Sequence, residues 1–423
     1  MQYQTFSIGP GITLRHMQVT RFKQSVLTVQ LVRPMCRAEA AKNALIPTVL
    51  LRGSRGCPDL RCITQRLDEL YGASVGTLVR RIGDWQTTGL SCCLMDDRFA
   101  LSGDRVLEPA LRFLAQLLLE PLPGESGFDT GFVESEKKNL ISVIDSEQAD
   151  KQAYAAECLL KLMGGEDSFG IPRLGEREDV AAITPEELWA HYRQLLRCAP
   201  IEVFYVGSAP AQPMCELLGE LFAPLQRRPE PLPPQCGFRA CPPRDVCRSM
   251  DVAQGKLAMG FLTPITQRDP RFAAMQVANA VFGGGQTSKL FMNIREKQSL
   301  CYAIYSGYYG SKGLVTVHAG IDPAREQQVR QEIAGQLRAC REGDISPEEL
   351  CAAREVLLSG LRGVYDSPAA MENYFSTTAL NDLPWTPESQ AQAISAVTRE
   401  DVARAAATVE PHSSFFLRGG DAT

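Results

Sequence analysis

Hydrolytic chemistry leans on histidine, and this chain has four: His16, His191, His318 and His412. A helical metal pair needs two ligands on one face, three or four residues apart. The nearest two here are 94 residues apart, and none stands in H-E-x-x-H or H-x-x-E-H spacing. His191 falls on an amphipathic stretch and reads as a surface or boundary residue. His318 falls in a strand and reads as packing or hydrogen bonding. No G-x-S-x-G elbow offers a serine nucleophile. A cysteine nucleophile would need a histidine that only folding could bring close. The run Gly283-Gly284-Gly285-Gln-Thr-Ser288 is one residue away from a dinucleotide fingerprint. It follows a helical stretch, Arg271–Val281, whereas that fingerprint follows a strand. No Gly-Lys-Ser/Thr follows it either. It reads instead as a flexible backbone element that another chain can approach closely.

Fourteen cysteines include no C-x-x-C pair, and Cys236, Cys241 and Cys247 cluster without a fourth ligand. The start of the chain lacks a basic stretch followed by an apolar one, so no secretion signal is expected. The cysteines therefore read as reduced, mostly buried thiols of a cytoplasmic protein. No cofactor and no bound metal are expected. A net charge of −5 gives no footprint for nucleic acid or anionic lipid. No apolar run reaches the roughly 18–20 residues that span a bilayer.

The elements that must position any chemistry come in two similar sets. A proline-rich stretch, Gln226–Pro243, divides them, because proline neither continues a helix nor joins a central ladder. In the first half, Ser25–Val32 reads as a strand, Asp59–Leu70 as an amphipathic helix opened by Pro58, and Ser74–Arg81 with Trp85–Met95 as a hairpin. In the second, Lys256–Leu262 is a strand and Ser288–Lys297 a helix. Tyr302–Tyr308 with Leu314–Ile321 is a hairpin. Leu67 aligns with Ile294 and Asp96 with Asp322, offsets of 227 and 226 residues, which argues for duplication. Helices follow in both halves, among them Phe132–Met163 as one long helix. Thr184 and Ser346 open matching helices, each followed by Pro-Glu-Glu. The expected fold is α+β, with two duplicated domains, each a mainly antiparallel sheet covered by helices. Residues 1–225 form the first domain, 226–245 a linker and 246–423 the second.

One segment carries a family resemblance: Phe282-Gly-Gly-Gly-Gln-Thr-Ser-Lys-Leu-Phe-Met-Asn-Ile-Arg-Glu-Lys-Gln-Ser-Leu-Cys-Tyr302. It resembles the C-terminal hallmark of the insulinase/pitrilysin/mitochondrial-processing-peptidase family of zinc peptidases, and the duplication and connector fit that family as well. The subgroup it is most similar to comprises inactive bacterial homologues associated with elongation factor P aminopentanol modification. The resemblance implies that Arg295 and Tyr302, with Gly283, Gly284 and Gly285, face a peptide substrate, where both side chains can donate to its carbonyls. It also exposes a departure. Active members carry H-x-x-E-H on a helix shortly before Phe-Lys-Gly-Thr. Here Leu51-Arg-Gly-Ser54 matches that tail, and Ala44, Pro47 and Thr48 stand where His, Glu and His would be. The remaining glutamate ligand falls near Ser142, with Asp145 and Glu147 close by. Zinc catalysis needs three protein ligands, a water and a base, so no hydrolysis is expected of this chain alone. The resemblance implies a non-catalytic subunit that pairs with an active H-x-x-E-H homologue as a heterodimer, or with itself as a homodimer, and helps bind peptide. The alternative is a peptide-binding scaffold without a proteolytic role, linked to protein modification.

Overall fold

A computed structural model describes residues 3–125 and 127–419. The chain forms two compact α+β units. The first comprises residues up to Asp145, Pro172–Pro234 and Tyr365–Leu380. The second comprises Ser146–Ile171, Gln235–Val364 and the residues from Asn381 onward.

Unit 1 is built on a six-stranded sheet. Its strands are β1 (Gln4–Gly9), β2 (Ile12–Gln18), β3 (Gln24–Pro34), β4 (Ser74–Ile82), β5 (Trp85–Met95) and β6 (Ile201–Gly207), in the order β1-β2-β6-β3-β5-β4. Its helices include α1 (Arg37–Leu50), α2 (Leu60–Glu69), α3 (Leu107–Leu119) and most of α4 (Thr130–Ala149). The sheet of unit 2 has five strands. They are β7 (Asp245–Met250), β8 (Gly255–Leu262), β9 (Cys301–Tyr309), β10 (Leu314–Ile321) and β11 (Glu410–Gly419), in the order β7-β11-β8-β10-β9. The two orders correspond strand for strand. A parallel pair, β2 with β6 or β7 with β11, leads into three antiparallel neighbours. Duplication is therefore visible in the topology, and unit 1 adds only the edge strand β1.

Between the sheets' strands in sequence run the remaining helices. These are α5 (Lys151–Gly164), α6 (Arg177–Ala182), α7 (Pro185–Cys198), α8 (Ala211–Phe222), α9 (Phe272–Phe282), α10 (Glu326–Glu342), α11 (Pro347–Gly363), α12 (Pro368–Leu380), α13 (Pro387–Ala396) and α14 (Arg399–Ala406). Strand alternation divides each sheet into two faces. Leu27, Val29 and Leu31 of β3 join the buried core with Leu45 and Ile46 of α1. Thr28 and Gln30, on the other face, meet Glu372 of α12 instead. In unit 2, Leu257 and Phe261 face one core. Ala258 packs with Leu159 and Met163 of α5, and Gly260 leaves room for the Met163 thioether.

The stretch Phe132–Met163 is two helices, not one. At Asp150 the backbone turns extended, and its carboxylate accepts the N–H groups of Gln152 and Ala153, capping a new helix. The segment Leu290–Lys297 is π-helical. One bridge also departs from the reading of all cysteines as free thiols: Cys57 and Cys62 are disulfide-bonded. The turn into α2 brings their Cα atoms to 5.4 Å, within disulfide reach. Among the described residues, no helix is long and apolar enough to cross a membrane.

Candidate functional site: a metal-less helix and an exposed Arg/Tyr element

In unit 1, α1 carries the three positions where the resemblance would put His, Glu and His. Ala44 and Pro47 are buried, and neither side chain has an electron pair to give a metal. Thr48 donates its hydroxyl to the Leu45 carbonyl at 2.8 Å. Pro47 has no N–H, so the Asn43 carbonyl lacks its usual helical donor. The Thr88 hydroxyl fills that place at 2.5 Å.

The polar group of this helix is Asn43, which is fully buried. Its amide nitrogen donates to Gln86 Oε1 at 2.8 Å. Gln86 in turn donates to the carbonyls of Ala40 and Arg173, at 3.1 and 2.8 Å. With the Asn43 nitrogen engaged, its Oδ1 accepts from His191 Nε2 at 2.7 Å, which fixes the proton of that ring on Nε2. His191 is therefore an interior residue, contrary to its reading as surface or boundary. Burial pushes its pKa down to about 4, so it is neutral at physiological pH. The amphipathic pattern of α7 places His191 correctly on a helix. Only the fold shows that it points inward at Asn43.

Two acids of α4 have partners of their own. Ser142 is exposed. Asp145 accepts from Arg177 at 3.1 Å. Glu136, the buried acid of α4, pairs with Arg52 at 3.4 Å and accepts from Asn139 at 3.0 Å. Among the described residues, no group of three or more His, Cys, Asp or Glu is placed to hold a metal ion. Gly53 has a structural reason of its own: a Cβ there would lie 2.6 Å from the Pro58 carbonyl oxygen.

In unit 2, the glycine run leaves α9. The N–H groups of Gly283 and Gly284 both donate to the Asn279 carbonyl at 2.9 Å. The Gly283 carbonyl accepts from Ser306 N–H of β9 at 2.8 Å, and the Ser306 hydroxyl donates to Asn279 Oδ1 at 2.8 Å. A Cβ on Gly283 would collide with Leu290 and Ser306. The first two glycines thus fasten the loop rather than loosen it, which corrects the expectation of flexibility. Gly285 is open: a Cβ there would meet nothing within 4 Å.

Leu290 and Ile294 anchor the π-helical stretch in the core. Lys289, just before it, is buried and held by both oxygens of Glu349 at 3.0 Å. Arg295 points away from that core. Its guanidinium lies 4.6 Å from the centroid of the Phe291 ring and 3.5 Å from Glu296, with 40% of the side chain exposed. Tyr302, at the start of the edge strand β9, is 64% exposed, and Tyr305 is 47% exposed. Cys301, which opens the strand, is buried, and its thiol is pushed up to about 11 by that burial against the opposing pull of Arg295. It is no nucleophile at neutral pH. His318 packs against the Tyr305 ring and meets the Thr316 hydroxyl at 3.0 Å, as a packed strand residue. The element offers a guanidinium fork and a phenol to a ligand. Its one carboxylate, Glu296, sits beside Arg295.

Residues 182–357 match the family model described as the peptidase M16 inactive domain. A "Probable inactive metalloprotease YmfF" from Bacillus subtilis is 28% identical over 97% of this chain and 96% of its own length. The chain is thus similar to inactive M16-type metalloproteases, through the family model over residues 182–357 and through the Bacillus relative over nearly its whole length. An uncharacterized zinc protease of Mycobacterium tuberculosis is 26% identical to this M16-like chain, over 67% of the chain and 68% of the relative. A conserved protein from Enterococcus faecalis V583 superposes with a TM-score of 0.92 at 27% identity, covering 99% of both chains. A peptidase M16 inactive domain from Pseudomonas fluorescens gives 0.82 at 18% identity over both full chains. That likeness shows the two-domain insulinase-like fold.

Proposed function

We propose that this chain is a non-catalytic subunit that pairs with an active H-x-x-E-H homologue and supplies peptide contacts from Arg295 and Tyr302. One observation carries the reading. The chain has lost every electron-pair donor of the first-half motif except a threonine hydroxyl engaged in its own helix. It nevertheless keeps Arg295 and Tyr302 exposed on an anchored element. Exposed guanidinium and phenol groups stand ready to donate to peptide carbonyls, which favours binding over hydrolysis. The partner would provide metal, water and base. The same reading extends to the inactive bacterial subgroup associated with elongation factor P modification, on the strength of the Phe282–Tyr302 segment. It also places the subunit in the cytoplasm. The cysteines other than the bridged Cys57 and Cys62, Cys36 and Cys92 among them, are free thiols, which favours a reducing compartment even though the one bridge does not.

The test is co-expression with an H-x-x-E-H homologue, followed by size-exclusion chromatography and peptidase kinetics. A stable complex is expected, and Arg295→Ala should lower kcat/KM of the complex by about tenfold, the loss of one charge-assisted hydrogen bond. If the two chains do not associate, or Arg295→Ala leaves the kinetics unchanged, the pairing reading fails. Peptide binding by the isolated chain without a partner would favour the scaffold alternative.

A further inference from the structure

The C-terminal end of α7 and the chain just beyond α8 enclose, within unit 1, an open groove of about 1230 Å³. Its wall is firmly built. Arg227 donates from Nε to the Pro10 carbonyl at 2.9 Å, and from its terminal nitrogens to the carbonyls of Leu196 and Ala199. Backbone bonds continue the seam: Arg228 N–H to the Arg197 carbonyl at 2.9 Å, and Glu230 N–H to the Cys198 carbonyl at 2.8 Å. Gly11, at φ +64°, lies so close to the Pro229 ring that a Cβ would collide with it.

Three other guanidiniums line the groove. Arg193 and Arg197 stand one turn apart on α7, and Arg228 lies beside them on the seam. All three are exposed. None makes a side-chain ion pair or hydrogen bond among the described residues. The groove's carboxylate, Glu230, is already paired with Arg33 at 3.1 Å. Like charges four apart on a helix oppose one another. A chain of net charge −5 thus concentrates three uncompensated positive charges on one rigid wall.

We propose that this groove binds a short acidic peptide segment of a partner protein. Arginine forks match carboxylates bidentately. The groove exceeds the ~300–1,000 Å³ of a small-molecule cleft, so it suits an extended chain rather than a lone anion. Leu225 in its lining gives an apolar side chain a place beside the acids. A long uniform polyanion such as nucleic acid would not use that place, and it would meet the net negative field of the rest of the molecule. The inference is independent of the pairing proposed above, since it concerns other residues.

The experiment uses the full chain and a fluorescent peptide of glutamates flanking a leucine, read by anisotropy at low and high salt. Saturable binding that weakens with salt is expected, with no binding of the glutamine counterpart. The triple variant Arg193→Gln/Arg197→Gln/Arg228→Gln should weaken binding about tenfold, the sum of three exposed ion pairs. A control of equal charge loss in unit 2, Arg362→Gln/Arg399→Gln/Arg404→Gln, should bind as the parent does. Unfolding midpoints of both variants report that they remain folded. If the groove variant does not fold, competition on the parent chain decides, with the acidic peptide displacing the probe and the glutamine peptide failing to. Absence of saturable binding at low salt would overturn the proposal. So would equal loss in both triple variants, or tighter binding of a single-stranded oligonucleotide than of the peptide.

Discussion

His191 Nε2 lies 2.7 Å from Asn43 Oδ1, one residue before Ala44, where an active relative's motif would begin. A buried polar chain through Asn43, Gln86 and His191 thus occupies the helix that a metal site would otherwise organise. Asn43→Ala would leave both Gln86 and His191 without that partner in the interior. We expect a loss of about 2–3 kcal/mol from two orphaned buried groups, read as a lower urea midpoint at unchanged slope.

The same burial sets a pH dependence. His191 and His318 are each pushed down from 6.5 to about 4 by desolvation. In the unfolded chain they take protons near pH 6.5, but in the folded chain only near pH 4. Between these values the unfolded state binds more protons, so stability falls as pH drops through that window and is flat above it. The loss is on the order of 3 kcal/mol per histidine at full extent. His191→Gln should flatten part of the slope of urea midpoint against pH, and the double variant with His318→Gln more of it, while His16 and His412, also pushed down by burial, keep a remainder. A slope unchanged in the double variant would contradict this assignment.

A third expectation concerns α12. Glu372 is buried and accepts from Thr28 at 2.9 Å, from Gln30 at 2.9 Å and from both terminal nitrogens of Arg80, at 3.1 and 2.9 Å. Glu372→Ala would strand these donors, with a cost of about 3 kcal/mol, the lower end for a broken buried pair because Arg80 is partly exposed. Glu372→Gln keeps an acceptor and should cost clearly less. Denaturant midpoints of the two variants measure the difference.

Much of the architecture could be read from local signals. The Thr184 and Ser346 capping boxes form as their sequences suggest, each hydroxyl accepting an N–H at 3.2 Å. The paired hairpins and their constant offset reappear as two sheets of matching strand order. Other features had no local signal. Asp150 breaks a continuous helical pattern because its carboxylate caps two following amides. The membership of α5 in unit 2 and α12 in unit 1 depends on contacts far apart in sequence. At the candidate site, the absence of ligands at Ala44 and Pro47 was legible from side-chain chemistry alone. The inward direction of His191 was not, because an amphipathic helix can present a histidine at its boundary or in its interior. The fastening of Gly283 by Ser306 was also hidden, since glycine composition alone suggests freedom rather than close packing.

The central claim is that this chain does no metal chemistry of its own. It is tested most directly by elemental analysis of the purified chain after incubation with zinc and desalting, alongside peptide cleavage with and without chelator. Zinc well below one equivalent per chain, and no chelator-sensitive cleavage, is the result expected from side chains at Ala44, Pro47 and Ser142 that cannot complete a ligand set. One tightly held zinc per chain, with cleavage abolished by chelator, would contradict it.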